Sequence, residues 1–127
     1  MFTTTTTFTA QGPKFSPSLA EQLAGVIFST KHEPEEWDIN GKFKGLVKPF
    51  GCGEKEWPYV PNGNTFEIIE RLAEASRNAE ATDLCLHLDI FWEDQCNLEY
   101  TPEFIAGLAR ARIPLTISCY ERRLIEP

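Results

Sequence analysis

The stretch from residue 83 to residue 91 has an aliphatic side chain at every second position, and this pattern is the strongest constraint on the fold. Successive side chains of a β-strand point to opposite faces of a sheet, so the four aliphatic residues of the stretch share one face. Such alternation predicts a strand in a sheet that is covered on one side only. The apolar face carries Leu84, Leu86, Leu88 and Ile90, and the opposite face carries Cys85, His87, Asp89 and Phe91.

Two further strands are predicted at the ends of the chain. The Thr-rich stretch Phe2–Gln11 favours the pleated backbone, with Phe2, Phe8 and Ala10 on one face. Low-complexity disorder is the alternative for this stretch, although its phenylalanines offer apolar surface to bury. The stretch Ile113–Tyr120 alternates and predicts the last strand. Its two faces carry Leu115, Ile117 and Cys119 on one side, and Thr116, Ser118 and Tyr120 on the other.

A first, short helix is predicted after the Thr-rich strand. Ser16 can accept hydrogen bonds from free amides at the start of a helix, and Pro17 fits the first turn, where its missing N–H costs nothing. Gly25 is suited to end the helix, because glycine adopts the left-handed conformation without strain. The apolar residues of this helix are Leu19, Ala20 and Leu23.

Two more helices are predicted in the second half of the chain. One begins at Asn64 or Thr65, and the other begins with Thr101 as its cap and Pro102 in its first turn. Tyr100, which precedes that cap, can pack against the first turn as a hydrophobic staple to Ile105. The predicted buried stripes are Phe66, Ile69, Leu72 and Ala73 in the second helix, and Phe104, Ile105, Leu108 and Ala109 in the third.

The order of these elements predicts an α+β domain that spans residues 1–127. The Asn40–Gly41 pair suits a tight hairpin turn, so the middle of the chain is expected to form two short strands or a long, partly irregular loop. Three helices on one face of a mixed sheet give a ferredoxin-like two-layer sandwich. The opposite face is then open and is lined by Thr, Ser, His and Tyr side chains.

Composition favours a protein that stays in the cytoplasm. The apolar stretches are too short for a membrane span, and the start of the chain lacks the basic and apolar segments of a secretory signal. The four cysteines are therefore expected to be free thiols, with two disulfides as the minor alternative. They include no C-x-x-C pair, and the two Gly-containing turns lack the spacing of a phosphate-binding loop, so no metal and no cofactor are predicted.

The net charge of the chain indicates which class of partner it can bind. The chain has 19 acidic and 12 basic side chains, a formal charge of -7, which repels the phosphates of nucleic acid and favours encounter with a basic protein. Three groups join tryptophan to carboxylates, a combination that interfaces use for anchoring and steering. The alternative is that all three tryptophans are core residues with solvated acidic neighbours. The predicted partner-binding residues are Glu33, Glu35, Glu36, Trp37 and Asp38, then Glu54 and Glu56, which precede Trp57, and finally Trp92, Glu93 and Asp94.

Catalysis is not predicted, although Cys85, His87 and Asp89 form a set that resembles a nucleophile, a base and an orienting carboxylate. Residues two apart on a strand lie roughly 6.6 to 7 Å apart, which we take to exceed direct hydrogen-bond reach. The set is therefore interpreted as a polar outer face of the sheet.

Four segments resemble a family of small bacterial proteins, the domain of unknown function 4279. They are Phe15–Leu19, Glu56–Tyr59, Leu84–Leu88 and the unit from Thr101–Ile105 to Ile117–Tyr120. The resemblance spans most of the chain and implies no enzymatic activity. Some members look like immunity proteins, antitoxins that lie beside secreted toxins.

The sequence therefore supports two alternative hypotheses for the function. The first is a non-enzymatic, immunity-like protein that binds and neutralises a basic bacterial toxin domain. The second is a small-ligand sensor or weak enzyme that uses the open sheet face around His87, Asp89, Ser118 and Tyr120. Either function is compatible with a monomer or with a homodimer that pairs through the edge of the Thr-rich strand.

Overall fold

The computed structural model describes residues 2–34, 49–93 and 98–122. Five strands and three helices follow one another along these residues. The elements are β1 (Phe2–Gly12), α1 (Pro17–Ala24), β2 (Thr30–His32), β3 (Gly51–Trp57), α2 (Gly63–Asn78), β4 (Asp83–Trp92), α3 (Pro102–Ala111) and β5 (Leu115–Glu121). The predicted Asn40–Gly41 hairpin lies outside the described residues.

The strands form one mixed sheet in the order β2-β3-β1-β4-β5. The first four strands pair antiparallel, and β5 pairs parallel to β4. With α1 and α2, these four strands have the ferredoxin-like arrangement, and α3 adds β5 through a parallel crossover. The predicted α+β, two-layer fold is confirmed.

The hydrophobic core lies between the helices and one face of the sheet. Even-numbered residues of β1 and β4 point into it, and Phe8, Leu86 and Leu88 are fully buried there. From the helical layer, α2 contributes Ile69 and Leu72, which are also fully buried. The alternation in β4 therefore predicted the correct face, because a strand buried on one side keeps its period of two.

The Thr-rich strand lies in the middle of the sheet. β1 pairs with β3 along one side and with β4 along the other, so it has no free edge. The predicted homodimer through the edge of this strand is therefore wrong. Two of its threonines, Thr4 and Thr6, are buried on the core face. The Thr6 hydroxyl donates a hydrogen bond to the carbonyl of Tyr59 at 2.7 Å, so its burial leaves no unsatisfied donor.

The helix caps largely match the sequence. Ser16 and Thr101 accept hydrogen bonds from the backbone N–H groups three residues later, and Gly25 ends α1 with φ of 69°. Helix α2 begins slightly earlier than predicted, at Gly63, because the Asn62 side chain is its cap.

The predicted stripes of α1 and α3 are partly wrong. In α1, Ala20 is buried as predicted, together with Pro17 and Ala24, whereas Leu19 and Leu23 are exposed. In α3, Phe104, Gly107 and Ala111 are buried, whereas Ile105 is 58% exposed and Ala109 is also exposed. Tyr100 packs against the Phe104 ring, with centroids 4.9 Å apart. In both helices small residues face the core, because they allow the helix to approach its neighbours closely.

Glycine at position 107 shows how close that approach is. A Cβ atom added there would lie 2.5 Å from Cγ of Phe66, on the facing helix. The Phe66 ring is itself packed edge-on against Phe104, with centroids 5.3 Å apart. None of the described helices is long and apolar enough to cross a membrane.

Candidate functional site

The sheet face opposite the helices is the candidate functional site, and we call it the open face. No helix of the described residues packs against it, because α1, α2 and α3 all bury side chains on the other side. The ladder pairs place directly opposed residues on the same face, so each strand contributes alternate positions. They are Thr3, Thr5, Thr7, Thr9 and Gln11 of β1, Thr30 and His32 of β2, Cys52, Glu54 and Glu56 of β3, Asp83, Cys85, His87, Asp89 and Phe91 of β4, and Thr116, Ser118 and Tyr120 of β5.

A chain of hydrogen bonds crosses this face between β4 and β5. The two ring nitrogens of His87 lie 2.5 Å from Thr116 Oγ1 and 3.1 Å from Asp89 Oδ1. Cys85 Sγ lies 3.4 Å from the same Thr116 hydroxyl. Four side chains from two strands are thus connected, and His87 and Asp89 each keep 31% of their side-chain surface exposed.

The prediction that His87 and Asp89 are too far apart to interact is wrong. The spacing of about 7 Å separates the Cα atoms, whereas the imidazole ring reaches over much of that distance. Thr116 was missed as a member of the chain of hydrogen bonds. A signal for it was present, because a strand, a helix and a second strand in succession favour parallel neighbours. That pairing sets Thr116 opposite His87.

The chemistry of this arrangement depends on the tautomer of His87. A neutral ring with its proton on Nε2 donates a hydrogen bond to Asp89, and its Nδ1 accepts a hydrogen bond from the Thr116 hydroxyl. A hydroxyl, an imidazole and a carboxylate in this order resemble the arrangement that activates serine or threonine nucleophiles. The described residues include no cluster of three or more His, Cys, Asp and Glu side chains that could hold a metal ion.

An aromatic and cationic group lies at one end of the open face. Phe91 and Tyr120 stack with ring centroids 5.1 Å apart and an interplanar angle of 21°. The guanidinium of Arg122 lies 5.2 Å from the centre of the Phe91 ring. Tyr120 is 48% exposed, so a large amphipathic surface is available while the ring is held by its neighbour.

Carboxylates lie on the other half of the face. Glu56 and His87 both pair with Thr7, which places them two strands apart, or about 10 Å. Glu54 follows in the next row, opposite Thr9. Glu56 is exposed and Glu54 is half-buried, so both carboxylates face solvent at least in part.

Those of the predicted partner-binding residues that the structure describes do not form one patch. Glu33 follows β2, whereas Trp92 and Glu93 lie at the end of β4 that pairs with the start of β1. Nine residues of β1 separate these ends, which corresponds to about 30 Å. Glu33 Oε1 accepts a hydrogen bond from the backbone N–H of Ser18 at 2.9 Å, so this carboxylate caps the start of α1. Glu35, Glu36, Trp37, Asp38 and Asp94 lie outside the described residues.

The tryptophans differ in burial. Trp57 is buried in the core, as the alternative interpretation expected for it, and Trp92 and Glu93 are half-buried. Glu54 and Glu56 are thus the predicted residues that lie on the open face, alongside His87 and Tyr120 of the competing hypothesis.

No protein-family model, curated protein or solved structure matches this chain. The resemblance to the domain of unknown function 4279 therefore stays a prediction. Support for a function comes from the residues of the open face.

Proposed function

We propose that this chain is a non-enzymatic protein-binding domain that places its open face on a basic protein, in the manner of an immunity protein that neutralises a toxin domain. The observation that carries the proposal is the sheet face against which none of the described helices packs, and which combines carboxylates with a stacked, half-exposed tyrosine. The acidic segment that contains Glu35, Glu36, Trp37 and Asp38 is proposed to contribute to the same interface.

Charge favours a basic partner. Glu54, Glu56, Asp83 and Asp89 lie on the open face, and Arg122 at the aromatic end is a basic residue there. Carboxylates on a flat surface raise the rate of encounter with Lys and Arg side chains, and the whole chain adds a net charge of -7. The same field opposes nucleic acid, so a nucleic-acid ligand is not proposed.

The aromatic pair supplies the anchor. Tyrosine and arginine are enriched among the residues that contribute most to binding free energy. Because Tyr120 already stacks on Phe91, its ring loses little conformational freedom when a partner covers it. A rigid sheet backbone, with β1 paired on both sides, holds these groups in place before the partner arrives.

A cytoplasmic location is part of the proposal. Cys85 and Cys119 are free thiols, and Cys119 is exposed, which fits a reducing compartment.

The first test neutralises the carboxylates of the open face. The tagged protein is used as bait in a lysate of its source organism, and a retained protein is identified, purified and measured by stopped flow. The double variant Glu54→Gln, Glu56→Gln is expected to lower the association rate about threefold or more at low salt, and less at high salt. Glu67→Gln, Glu74→Gln is the matched control, since both carboxylates are exposed on α2 in the helical layer. Equal rates for the two double variants contradict the proposed surface.

A small-ligand sensor or weak enzyme is the second candidate. The observation that favours it is the chain of hydrogen bonds that connects Cys85, Thr116, His87 and Asp89. Under this candidate, His87→Ala abolishes ligand binding or turnover. Under the first candidate, the alanine variant changes partner capture only modestly, because Tyr120 and the carboxylates remain.

A further inference from the structure

The sheet has two edges, and they differ in how they are protected. One edge is β2, which has three residues and carries Lys31 at its centre. Lys31 forms an ion pair with Glu21 of α1, so a charged side chain occupies the flank of this edge. Short length and a lysine are features that natural sheets use to prevent edge-to-edge pairing.

The other edge, β5, is seven residues long and contains no lysine and no proline. Its one charged residue, Glu121, is the last of the strand. Within the part of the chain that the structure describes, β5 pairs with β4 alone. An edge of this length and composition is a surface on which another strand can pair.

The parallel ladder shows which backbone groups of β5 point outward. The N–H of Arg122 donates to the carbonyl of Trp92 at 2.7 Å, and the carbonyl of Pro114 accepts from Leu86 at 3.0 Å, so even-numbered residues face β4. The N–H and C=O groups of one strand residue point to the same side and alternate along the strand. The backbone N–H and C=O groups of Leu115, Ile117 and Cys119 therefore point away from the sheet.

Side chains at this edge are also uncovered. Ile117 pairs with buried Leu88 and so lies on the helical side, yet it is 41% exposed. Cys119, on the same side, is exposed as well. Helix α3 therefore leaves apolar surface of β5 in contact with solvent, next to the outward backbone groups.

We infer that a second copy of this chain pairs with this edge, β5 against β5 in antiparallel orientation about a two-fold axis at Ser118. This register pairs all seven residues of the strand, and it sets outward-facing residues opposite each other, as a hydrogen-bonded ladder requires. On the helical side, Ile117 lies opposite Cys119 of the second copy. On the open face, Thr116 lies opposite Tyr120 of the second copy, and aromatic with β-branched pairs stabilise sheets.

The net charge of -7 on each copy opposes association, but the register at this edge sets no like charges opposite each other. The one charged residue of β5, Glu121, lies opposite Leu115 of the second copy and not opposite another carboxylate. Edge pairing extends the sheet in its own plane, so most of each open face stays accessible, and Thr116 and Tyr120 at the seam contact the second copy. A substitution on the helical side of the edge therefore tests the dimer without altering the open face.

The first experiment measures the molar mass of the full chain by light scattering across a concentration series. The chain is expected to dimerise, and Ile117→Lys is expected to raise the dissociation constant at least about tenfold, since the two-fold axis places the lysine in the interface twice. Ile27→Lys is the control, because Ile27 is exposed on the chain segment after α1 and undergoes the same chemical change. A monomer at all concentrations, or a dimer that Ile117→Lys leaves intact, overturns the inference.

A cross-linking experiment tests the register. In a background with Cys52, Cys85 and Cys96 replaced by serine, one protein keeps Cys119, and a second carries Ile117→Cys with Cys119→Ser. Directly opposed Cα atoms in a hydrogen-bonded pair are about 5.5 Å apart, within disulfide range. Mild oxidation of the mixture is expected to produce the mixed dimer, detected by mass. Cross-links of either protein with itself alone contradict the Ser118-centred register.

Failure of this inference is distinguishable from failure of the proposed function. Ile117→Lys alters the helical side of the edge and leaves the open face intact, so it is expected to retain the captured partner even as a monomer.

Discussion

Replacing Gly107 by alanine tests the packing of α3 on α2, which sets the position of β5. In an exposed helix, glycine to alanine stabilises by about 1 kcal/mol. Here the new Cβ would lie 2.5 and 2.6 Å from two carbons of the Phe66 ring, about 1 Å inside ordinary contact. The ring has little room to move, because Phe104 packs edge-on against it.

Overpacking of this kind costs roughly 1–3 kcal/mol, so the net expectation is a loss of up to about 2 kcal/mol in the free energy of unfolding. For a chain of this length, that corresponds to a decrease in Tm of up to roughly 10 °C. The assay is urea unfolding followed by circular dichroism, with thermal unfolding as a second measurement.

Gly63→Ala is the matched control, because a Cβ at the first residue of α2 meets no atom within 4 Å. This variant is expected to change stability by less than about 0.5 kcal/mol. A Gly107→Ala protein that is more stable than the parent by about 1 kcal/mol refutes the described contact between α2 and α3.

Three further predictions concern the core, the first helix and the open face. Thr6→Val removes the buried hydroxyl that bonds to the Tyr59 carbonyl and is expected to cost about 1–2 kcal/mol by urea unfolding, with Thr3→Val, at an exposed position, near neutral. Glu33→Ala removes the acceptor of the Ser18 N–H and is expected to cost about 0.5–1 kcal/mol, whereas an unchanged midpoint contradicts the cap. Nitrogen NMR of neutral His87 is expected to show the Nε2–H tautomer, and Thr116→Val is expected to alter the Nδ1 shift; a spectrum that Thr116→Val leaves unchanged contradicts the hydrogen bond.

Local patterns predicted the elements of this fold well. The caps at Ser16 and Thr101 and the two faces of β4 depend on residues within a few positions of one another, so the sequence alone determines them. The fold class followed from their order.

The wrong predictions concern features that depend on residues far apart in the sequence. Whether β1 is central or at an edge depends on pairing with strands more than 40 residues away, which the threonine run does not encode. Ile105 is exposed because Gly107 brings α3 close to α2 along a different stripe. The contact of His87 with Thr116 depends on the parallel register of β4 and β5. Glu54 and Glu56 lie on the same face as His87 only because β1 pairs with β3 as well as with β4.

The most direct test of the open face as a binding surface compares two tyrosines of similar exposure. Tyr120 is 48% exposed on the open face, and Tyr59 is 46% exposed in the loop after β3. The tagged protein and each alanine variant are used to retain the captured partner, with Ile117→Lys added to every protein compared so that all are monomers. Tyr120→Ala is expected to weaken retention about tenfold or more, while Tyr59→Ala is expected to have little effect. Equal retention by the two variants contradicts the open face as the binding surface.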